Sequence, residues 1–201
     1  MEADWEVEIG GGAPVIEAFW PGFVNLRRTP LRIAEVSEAL AFPALGRFLA
    51  QVNGEVSPLW TSKCDVWEPD RAEQAGLDPA HPASVEGDSE IIVLACYIDL
   101  LPRRGVLFAQ WQAAERFCRE WVERLETVDL PLSRVELIVR QAVAGDAEGF
   151  GITAYVSILE SPLEMNADGA RVRDQSANLL AQVLGILAAS IPAWDFPAAG
   201  A

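Results

Sequence analysis

The sequence predicts a two-layer α+β fold, in which about three helices pack on one face of an antiparallel-dominated sheet. Four segments alternate apolar and polar residues with the period of strands, at about 58–67, 90–101, 133–143 and 150–159. A fifth segment, at about 106–127, repeats apolar residues in steps of three and four, as an amphipathic helix does. Of the 201 residues, 51% are apolar and 22% are charged, which is the composition of a globular protein with a hydrophobic core.

The N-terminal part predicts two short extended segments followed by helix. Trp5–Ile9 alternates apolar and acidic residues, which indicates a strand with one solvated face, and 19–26 is a second extended stretch. Thr29-Pro30 has the cap and first-turn proline of a helix start. Pro43 divides the following region into two shorter helices, and Asn53-Gly54 ends the second one.

A long loop and a hairpin connect the central strands. The loop from Glu68 to Ser89 is rich in proline, glycine and acidic residues, and its length is unusual for a compact domain unless it has a function. The last two strands are expected to form a hairpin around Gly145–Gly149.

The C-terminal part predicts one more helix and a tail. Ser161–Glu164 matches a capping box and is a candidate start for this helix, whose strongest pattern runs from about 170 to 190. The order of elements contains the β-α-β-β-α-β arrangement of ferredoxin-like folds, extended by a β-hairpin and a C-terminal helix. We expect residues 1–191 to form one α+β domain and 192–201 to form a loose tail.

Alternation along the four central strands sorts their side chains into two faces. One face is almost wholly apolar, includes Trp60, Cys64 and Ile92, and is expected to pack under the helices. The other, called the polar sheet face below, also includes Thr61 and Thr153. Its charged and tyrosine residues are Lys63, Asp65, Tyr97, Asp99, Arg134, Glu136, Arg140 and Tyr155. A solvated face with cross-strand ion pairs and a functional surface both account for this pattern.

Three carboxylates of this face, Asp65, Asp99 and Glu136, suggest a metal site as an alternative. Oxygen ligands of this kind suit Mg²⁺ or Mn²⁺. The cations of the same face are equally well placed to neutralise these acids, which explains the residues without a metal. We therefore expect no metal and no cofactor.

The sequence carries no recognised catalytic motif. Its one histidine, His81, lies in a proline-flanked loop segment with no nucleophile beside it. Cys64 and Cys96 fall on the apolar sheet face and Cys118 on a helical apolar stripe, where cysteine acts as a small core residue. Gly10–Gly12 has neither the phosphate-loop nor the dinucleotide-binding spacing. We expect the chain to act by binding and not by catalysis.

The charge balance excludes several classes of partner. Asp and Glu number 30 against 15 Lys and Arg, which gives a net charge of −15. Nucleic acids and anionic membranes both require clustered bases, so neither is an expected partner. The acidic N-terminus lacks the features of a signal peptide, and three cysteines without a C-x-x-C pair suit a reducing compartment. The sequence therefore predicts a cytoplasmic protein.

The acidic residues concentrate in two segments. The first 26 residues contain acids but no base, and the region 68–90 contains Arg71 as its one base. Acids on a surface serve solubility, but a dense acidic surface also attracts a basic protein and speeds association. Trp67 ends a strand beside the loop and is a candidate contact anchor. The predicted partner-binding residues are Trp67, Asp70, Glu73, Asp78, Glu86 and Asp88.

Two segments carry a family resemblance. Leu59–Trp67 reads LWTSKCDVW, and Ala95–Pro102 reads ACYIDLLP. With the acidic α+β character and tryptophan-rich strands, they resemble bacterial polymorphic-toxin immunity proteins. Among these, the chain resembles the immunity protein 52 family, which is associated with restriction-endonuclease-like toxins of contact-dependent or type VI secretion. The resemblance implies stoichiometric neutralisation of a basic toxin, such as a nuclease, without turnover.

Two other functions stay open. One is a metal-dependent enzyme or small-ligand binder that uses the carboxylates of the polar sheet face. The other is a structural component that forms a homodimer or a larger oligomer through the apolar stripe of the last helix, although core packing explains that stripe equally well. The stripe consists of Leu179, Leu180, Val183, Leu184, Ile186 and Leu187.

Overall fold

The computed structural model describes residues 1–70, 91–160 and 169–193, which form a mixed α+β fold. The strands are β1 Glu2–Glu8, β2 Ile16–Ala18, β3 Leu59–Trp67, β4 Ile91–Pro102, β5 Ser133–Ala144 and β6 Ala147–Glu160. The helices are a 3₁₀ helix Pro30–Glu35, then α1 Ser37–Ala41, α2 Pro43–Val52, α3 Trp111–Leu125 and α4 Gly169–Ala189. None of the described helices has the length and apolar character needed to cross a membrane.

All six strands belong to one sheet of order β1-β5-β6-β4-β3, with β2 also paired to β5. The strands β3 to β6 pair antiparallel, whereas β1 and β2 run parallel to β5. The sheet is therefore mixed, and the predicted antiparallel dominance of the sheet is not confirmed, although β3 to β6 pair antiparallel with one another.

The structure does not confirm a ferredoxin-like core, because β6 lies between β5 and β4 and the N-terminal strands lie at an edge. The tight β5–β6 hairpin explains this order. Within it, β6 pairs with one edge of β5, so that the other edge of β5 is left for β1 and β2.

Helices α2, α3 and α4 pack against one face of the sheet and form the main core there. Trp121 of α3 is fully buried, and its Nε1 donates to the Leu187 carbonyl at 3.2 Å and to Ser190 Oγ at 3.1 Å. These bonds join α3 to the end of α4. The apolar stripe of α4 is used in this core, since Leu180, Val183, Leu184 and Leu187 are buried within the chain. Of the six residues of the predicted stripe, these four are therefore buried in the core, and Leu179 and Ile186 are partly buried.

Two predicted elements differ in extent. The helix predicted over 106–127 begins at Trp111, because Phe108 makes a bridge with Phe150 of β6. In the region 19–26, extended structure was predicted, but the strand lies just before it at Ile16–Ala18. A turn follows, since Phe23 N–H donates to the Trp20 carbonyl at 3.0 Å.

Shifts in strand register reverse the faces predicted for three residues. Trp60 and Thr61 oppose Leu101 and Leu100, but Lys63 opposes Asp99, so Ser62 is an extra residue in β3. Trp60 therefore lies on the side of the polar sheet face and Thr61 on the helix side, and both predictions were wrong. Ile92 is reversed in the same way by a shift between Ile92 and Leu94 of β4.

The irregularity in β3 is held by hydrogen bonds on both sides of the sheet. On the helix side, Asn53 is 1% exposed, its Nδ2 donates to Thr61 Oγ1 at 2.8 Å, and its Oδ1 accepts from Thr61 N–H at 3.2 Å. On the other side, Ser62 Oγ donates to the Glu17 carbonyl at 2.8 Å, and Trp20 Nε1 donates to the Ser62 carbonyl at 3.2 Å. These bonds fasten β2 and the turn after it over one end of the polar sheet face.

Two glycines of β6 allow other parts of the chain to approach closely. A Cβ on Gly151 would lie 2.7 Å from Leu101 Cδ2 and 2.8 Å from Ile16 Cδ1. A Cβ on Gly149 would lie 2.6 Å from the Phe108 carbonyl oxygen. The space left by these glycines lets a second, smaller core form on this side of the sheet, from Ile16, Ala18, Trp60, Leu101, Ala142 and Ala144.

Candidate functional site

The polar sheet face presents its side chains in rows that cross the strands from β3 to β1. The central row is Asp65, Tyr97, Tyr155, Glu136 and Asp4. On one side of it lies the row Lys63, Asp99, Thr153, Ile138 and Glu6, and on the other the row Trp67, Ala95, Ser157, Arg134 and Glu2. Arg140 opposes Glu8 beyond the Lys63 row. The eight predicted residues of this face therefore do share one surface.

An aromatic cluster of Trp67, Tyr97 and Tyr155 occupies the centre of this surface. The Trp67 ring centroid lies 5.9 Å from that of Tyr97 and 6.5 Å from that of Tyr155, in edge-to-face arrangements. The two tyrosine centroids are 6.0 Å apart. All three side chains are half-buried. Trp67, which the sequence associated with the long loop, thus also belongs to the sheet surface.

A cavity of about 410 Å³, called the sheet cleft below, opens beside the aromatic cluster. Its walls come from Pro14–Glu17 and Trp20, which β2 and the following turn hold over the sheet. Its floor is formed by Lys63, Tyr97, Asp99, Arg140, Thr153 and Tyr155. The cleft exists because the bonds made by Ser62 fasten the N-terminal segment across the sheet.

Asp99 is a buried carboxylate in the floor of the sheet cleft, with 8% of its surface exposed. Thr153 Oγ1 donates to Asp99 Oδ1 at 2.7 Å. Burial raises the pKa of Asp99, while the Thr153 hydroxyl and the positive charges of Arg140 and Lys63 act in the opposite direction. Among the described residues, the second oxygen, Oδ2, has no hydrogen-bond partner.

Burial also shifts the pKa values of two neighbours. It raises the pKa of Tyr97, and the negative charges of Asp99 and Asp65 add to that effect. The phenol therefore stays protonated at neutral pH and can donate a hydrogen bond. Burial likewise raises the pKa of Glu136, with a further contribution from the negative charge of Glu6.

The two arginines of the face are engaged by acids of β1. Arg134 Nε lies 3.0 Å from Glu2 Oε2, and Arg140 Nε lies 2.9 Å from Glu8 Oε2. The Arg140 guanidinium carbon also lies 5.6 Å from the centroid of the Tyr155 ring. Lys63 is exposed.

The three carboxylates considered as metal ligands do not converge. Asp65, Asp99 and Glu136 lie on β3, β4 and β5, and three strand spacings of about 4.8 Å place Asp65 and Glu136 about 14 Å apart. One ion cannot bind carboxylates at that separation. Within the ranges that the structure describes, no group of three His, Cys, Asp or Glu residues is arranged to hold a metal.

The thiols belong to the core or its border. Cys96 and Cys118 are buried, and burial raises the pKa of each thiol. Cys64 is half-buried, and burial raises its pKa to about 12. A protonated thiol is a poor nucleophile, which agrees with the core role expected from the sequence.

Most of the predicted loop residues lie outside the described part of the chain. Asp70 is described and is exposed. Glu73, Asp78, Glu86 and Asp88 fall within 71–90, so their role as partner contacts stays a prediction.

Sequence reasoning missed the contribution of the N-terminal strands to the site. β1 adds Glu2, Asp4, Glu6 and Glu8 to the polar sheet face, and Glu17 follows at the cleft wall. The alternation of acids in Trp5–Ile9 indicated a solvated face, but nothing local indicates that this strand pairs with β5, more than 120 residues away. The alternating acids of β1 are the signal that could have placed this strand at the edge of the polar sheet face.

The comparisons with known proteins supply no relative. A scan against protein-family models found no match, and searches of the curated proteins and of the solved structures found none either.

Proposed function

We propose that this chain is a binding protein that recognises a basic protein through its polar sheet face and neutralises it as a stoichiometric inhibitor. The observation that carries the proposal is the aromatic cluster of Trp67, Tyr97 and Tyr155, framed on one surface by carboxylates. An aromatic centre with a polar surround is the usual anatomy of a protein interface.

The charge of this surface favours a basic partner. The face carries Lys63, Arg134 and Arg140 as its cations, and two of the three are paired with β1 acids. Its carboxylates are more numerous: Glu2, Asp4, Glu6, Glu8, Asp65, Asp99 and Glu136. Such a surface attracts a positively charged protein from a distance and fixes its orientation.

A basic toxin, in particular a nuclease, is the partner that fits best. A nuclease presents clustered bases to bind phosphate, and an acidic surface can cover them. This agrees with the resemblance of Leu59–Trp67 and Ala95–Pro102 to immunity proteins. An inhibitor of this type acts in the cytoplasm of the producing cell and needs no cofactor.

A second candidate is a binder of a small ligand, which the sheet cleft favours. Its volume of about 410 Å³ falls within the usual range of about 300–1,000 Å³ for ligand sites. A ligand bound there would contact the same aromatic and acidic side chains.

The test is capture of the tagged chain from the cells that produce it, at low and high salt, followed by reconstitution. We expect a basic partner in near-equal amount that is lost at high salt. The purified pair should form a 1:1 complex, and the chain should suppress the toxicity of that partner on co-expression. A partner whose activity persists in the complex contradicts neutralisation.

Matched charge reversals identify the surface. The pair Glu6→Lys and Asp65→Lys changes the polar sheet face, and Glu123→Lys with Glu126→Lys makes the same charge change at exposed positions of and beside α3. We expect the first pair to weaken binding by about tenfold or more and the second to change it little. Equal effects of the two pairs exclude a specific role for the sheet face.

A further inference from the structure

The sheet cleft contains a buried acid that lacks a second partner. Asp99 is more than nine-tenths buried, and only its Oδ1 receives a hydrogen bond, from Thr153, among the described residues. The residue lines the cleft, so its Oδ2 is available to a group that enters there. A carboxylate in such surroundings is stabilised by a charged hydrogen-bond donor.

The two tyrosines in the floor of the cleft suit a planar cation. Tyr97 and Tyr155 both line it, with ring centroids 6.0 Å apart. The Tyr155 ring already has one guanidinium near it, since the Arg140 guanidinium carbon is 5.6 Å from its centroid. Arg140 Nε lies 2.9 Å from Glu8 Oε2 in an ion pair without hydrogen-bond geometry, and the hydrogen bond recorded to Asp99 comes from Thr153. A second guanidinium can therefore bind the acid and stack on tyrosine.

The charges around the cleft favour a cation over an anion. The cations that face it are Lys63 from β3 and Arg140 from β5, and Arg140 is paired. The acids that face the cleft and its surroundings are Glu6 and Glu8 from β1, Asp65 from β3, Asp99 from β4 and Glu136 from β5, and Glu17 of β2 also lines the cleft. The described part of β6 contributes only the neutral Thr153 and Tyr155 to the floor.

We propose that the sheet cleft is a receptor for a single arginine side chain, whose guanidinium donates to Asp99 Oδ2 and stacks on the tyrosines. Arginine fits better than lysine, because its flat guanidinium presents several donors and a stacking face at once. That this arginine belongs to a basic protein partner rests on the proposed function. The recognition chemistry can be measured without that partner.

The experiment is a titration of the ¹⁵N-labelled chain with N-acetyl-arginine methylamide, followed by amide chemical shifts. N-acetyl-lysine methylamide and inorganic phosphate are parallel probes at the same ionic strength. We expect saturable shifts at Tyr97, Asp99, Thr153 and Tyr155 with the arginine probe. The lysine probe should bind at least about fivefold more weakly.

Two variants place the binding in the cleft. Asp99→Asn should weaken arginine binding about tenfold, because it removes the charge of the acceptor. Asp146→Asn, in the exposed β5–β6 turn, is the control and should bind as the wild type does. If the spectrum shows that Asp99→Asn does not fold, Tyr155→Leu replaces it, with an expected loss of about threefold to tenfold from the lost stacking.

The outcomes separate this proposal from the proposed function. Equal binding of lysine and arginine, shifts caused by phosphate in place of arginine, or undiminished binding by the folded cleft variant would each overturn the arginine receptor. Arginine binding in the cleft together with capture of no basic partner would support the receptor and contradict the inhibitor function. Binding of a basic partner without binding of the arginine probe would support the inhibitor function and contradict the arginine receptor.

Discussion

Asn53 shows how one buried side chain fixes the local register of a strand. Its amide accepts from the Thr61 backbone and donates to the Thr61 hydroxyl, and it also donates to the Leu49 carbonyl at 2.9 Å. It therefore joins the last turn of α2 to the irregular part of β3. Without it, buried polar groups of β3 would lose their partners.

We predict that Asn53→Ala lowers the free energy of unfolding by about 2–3 kcal/mol, because it leaves the buried N–H and hydroxyl of Thr61 without their partner, while the Leu49 carbonyl keeps the backbone N–H of residue 53. Urea denaturation measures this loss. Asn178→Ala, at an exposed position of α4, is the control and should change stability by no more than about 0.5 kcal/mol. A loss of similar size in both variants would contradict the role of Asn53.

The pKa of Asp99 predicts how stability depends on pH. Burial raises this pKa in the folded chain, so between the unfolded and the folded pKa the folded state holds a proton that the unfolded state has released. Stability therefore falls as the pH rises through that interval. In the Asp99→Asn variant the amide cannot ionise, so this pH-dependent contribution to stability is absent.

We predict that the stability of wild type relative to Asp99→Asn decreases as the pH rises from about 4 toward neutrality. Thermal or urea unfolding of both proteins across this range measures the difference. A difference that is constant with pH, or that changes in the opposite direction, would contradict the assigned shift.

At the level of elements, the extra residue in β3 joins the sheet to the N-terminal segment. Ser62 uses its hydroxyl and its carbonyl to hold Glu17 and Trp20. A regular β3 would not present both groups toward that segment. The irregularity thus builds one wall of the sheet cleft.

We predict that Ser62→Ala loosens β2, with a loss of about 1 kcal/mol in stability and faster amide exchange at Ile16–Ala18. Hydrogen exchange followed by mass spectrometry resolves this segment. Ser37→Ala, which changes an exposed serine of α1, should leave exchange in β2 as it is. Unchanged exchange in the Ser62 variant would show that the hydroxyl does not hold the strand.

The sequence was informative about elements that depend on local periodicity. The strand predicted at 58–67 is observed at Leu59–Trp67, and Pro43 divides two helices as expected. The pattern of apolar and polar residues does not reveal an irregularity in a strand where apolar residues are buried on both faces of the sheet. Trp60 and Ile92 lie beside such irregularities and are buried on the face opposite to the one predicted. The parallel pairing of β1 with β5 was equally hidden, because it depends on which sheet edge stays open after the hairpin forms.

The same reasoning explains which part of the site could be predicted. The polar residues of β3 to β6 were assigned to one face because those strands alternate regularly between their irregular points. The aromatic cluster and the sheet cleft required the order of strands and the position of β2, which are properties of the tertiary structure.

At the scale of the whole molecule, a net charge of −15 would speed the approach of the basic partner proposed above. We predict that reversing Asp70, Glu73, Asp78, Glu86 and Asp88 to lysine slows association with the captured basic partner and flattens its dependence on salt. Stopped-flow mixing at several ionic strengths measures both quantities. The variant with Glu123→Lys and Glu126→Lys is the control, because each of its substitutions makes the same charge change outside the loop. An unchanged association rate would remove the loop from the recognition surface.

The two glycines of β6 have a consequence for ancestry. A Cβ at Gly149 would lie 2.6 Å from the Phe108 carbonyl oxygen, a backbone atom that cannot easily move, whereas at Gly151 the closest atoms are the ends of the Leu101 and Ile16 side chains, which can shift. The acids of the surface face no such restriction, and they can change whenever a partner changes. A chain that keeps this hairpin and the bridge between Phe108 and Phe150 should therefore retain glycine at position 149, even where its surface charges have diverged.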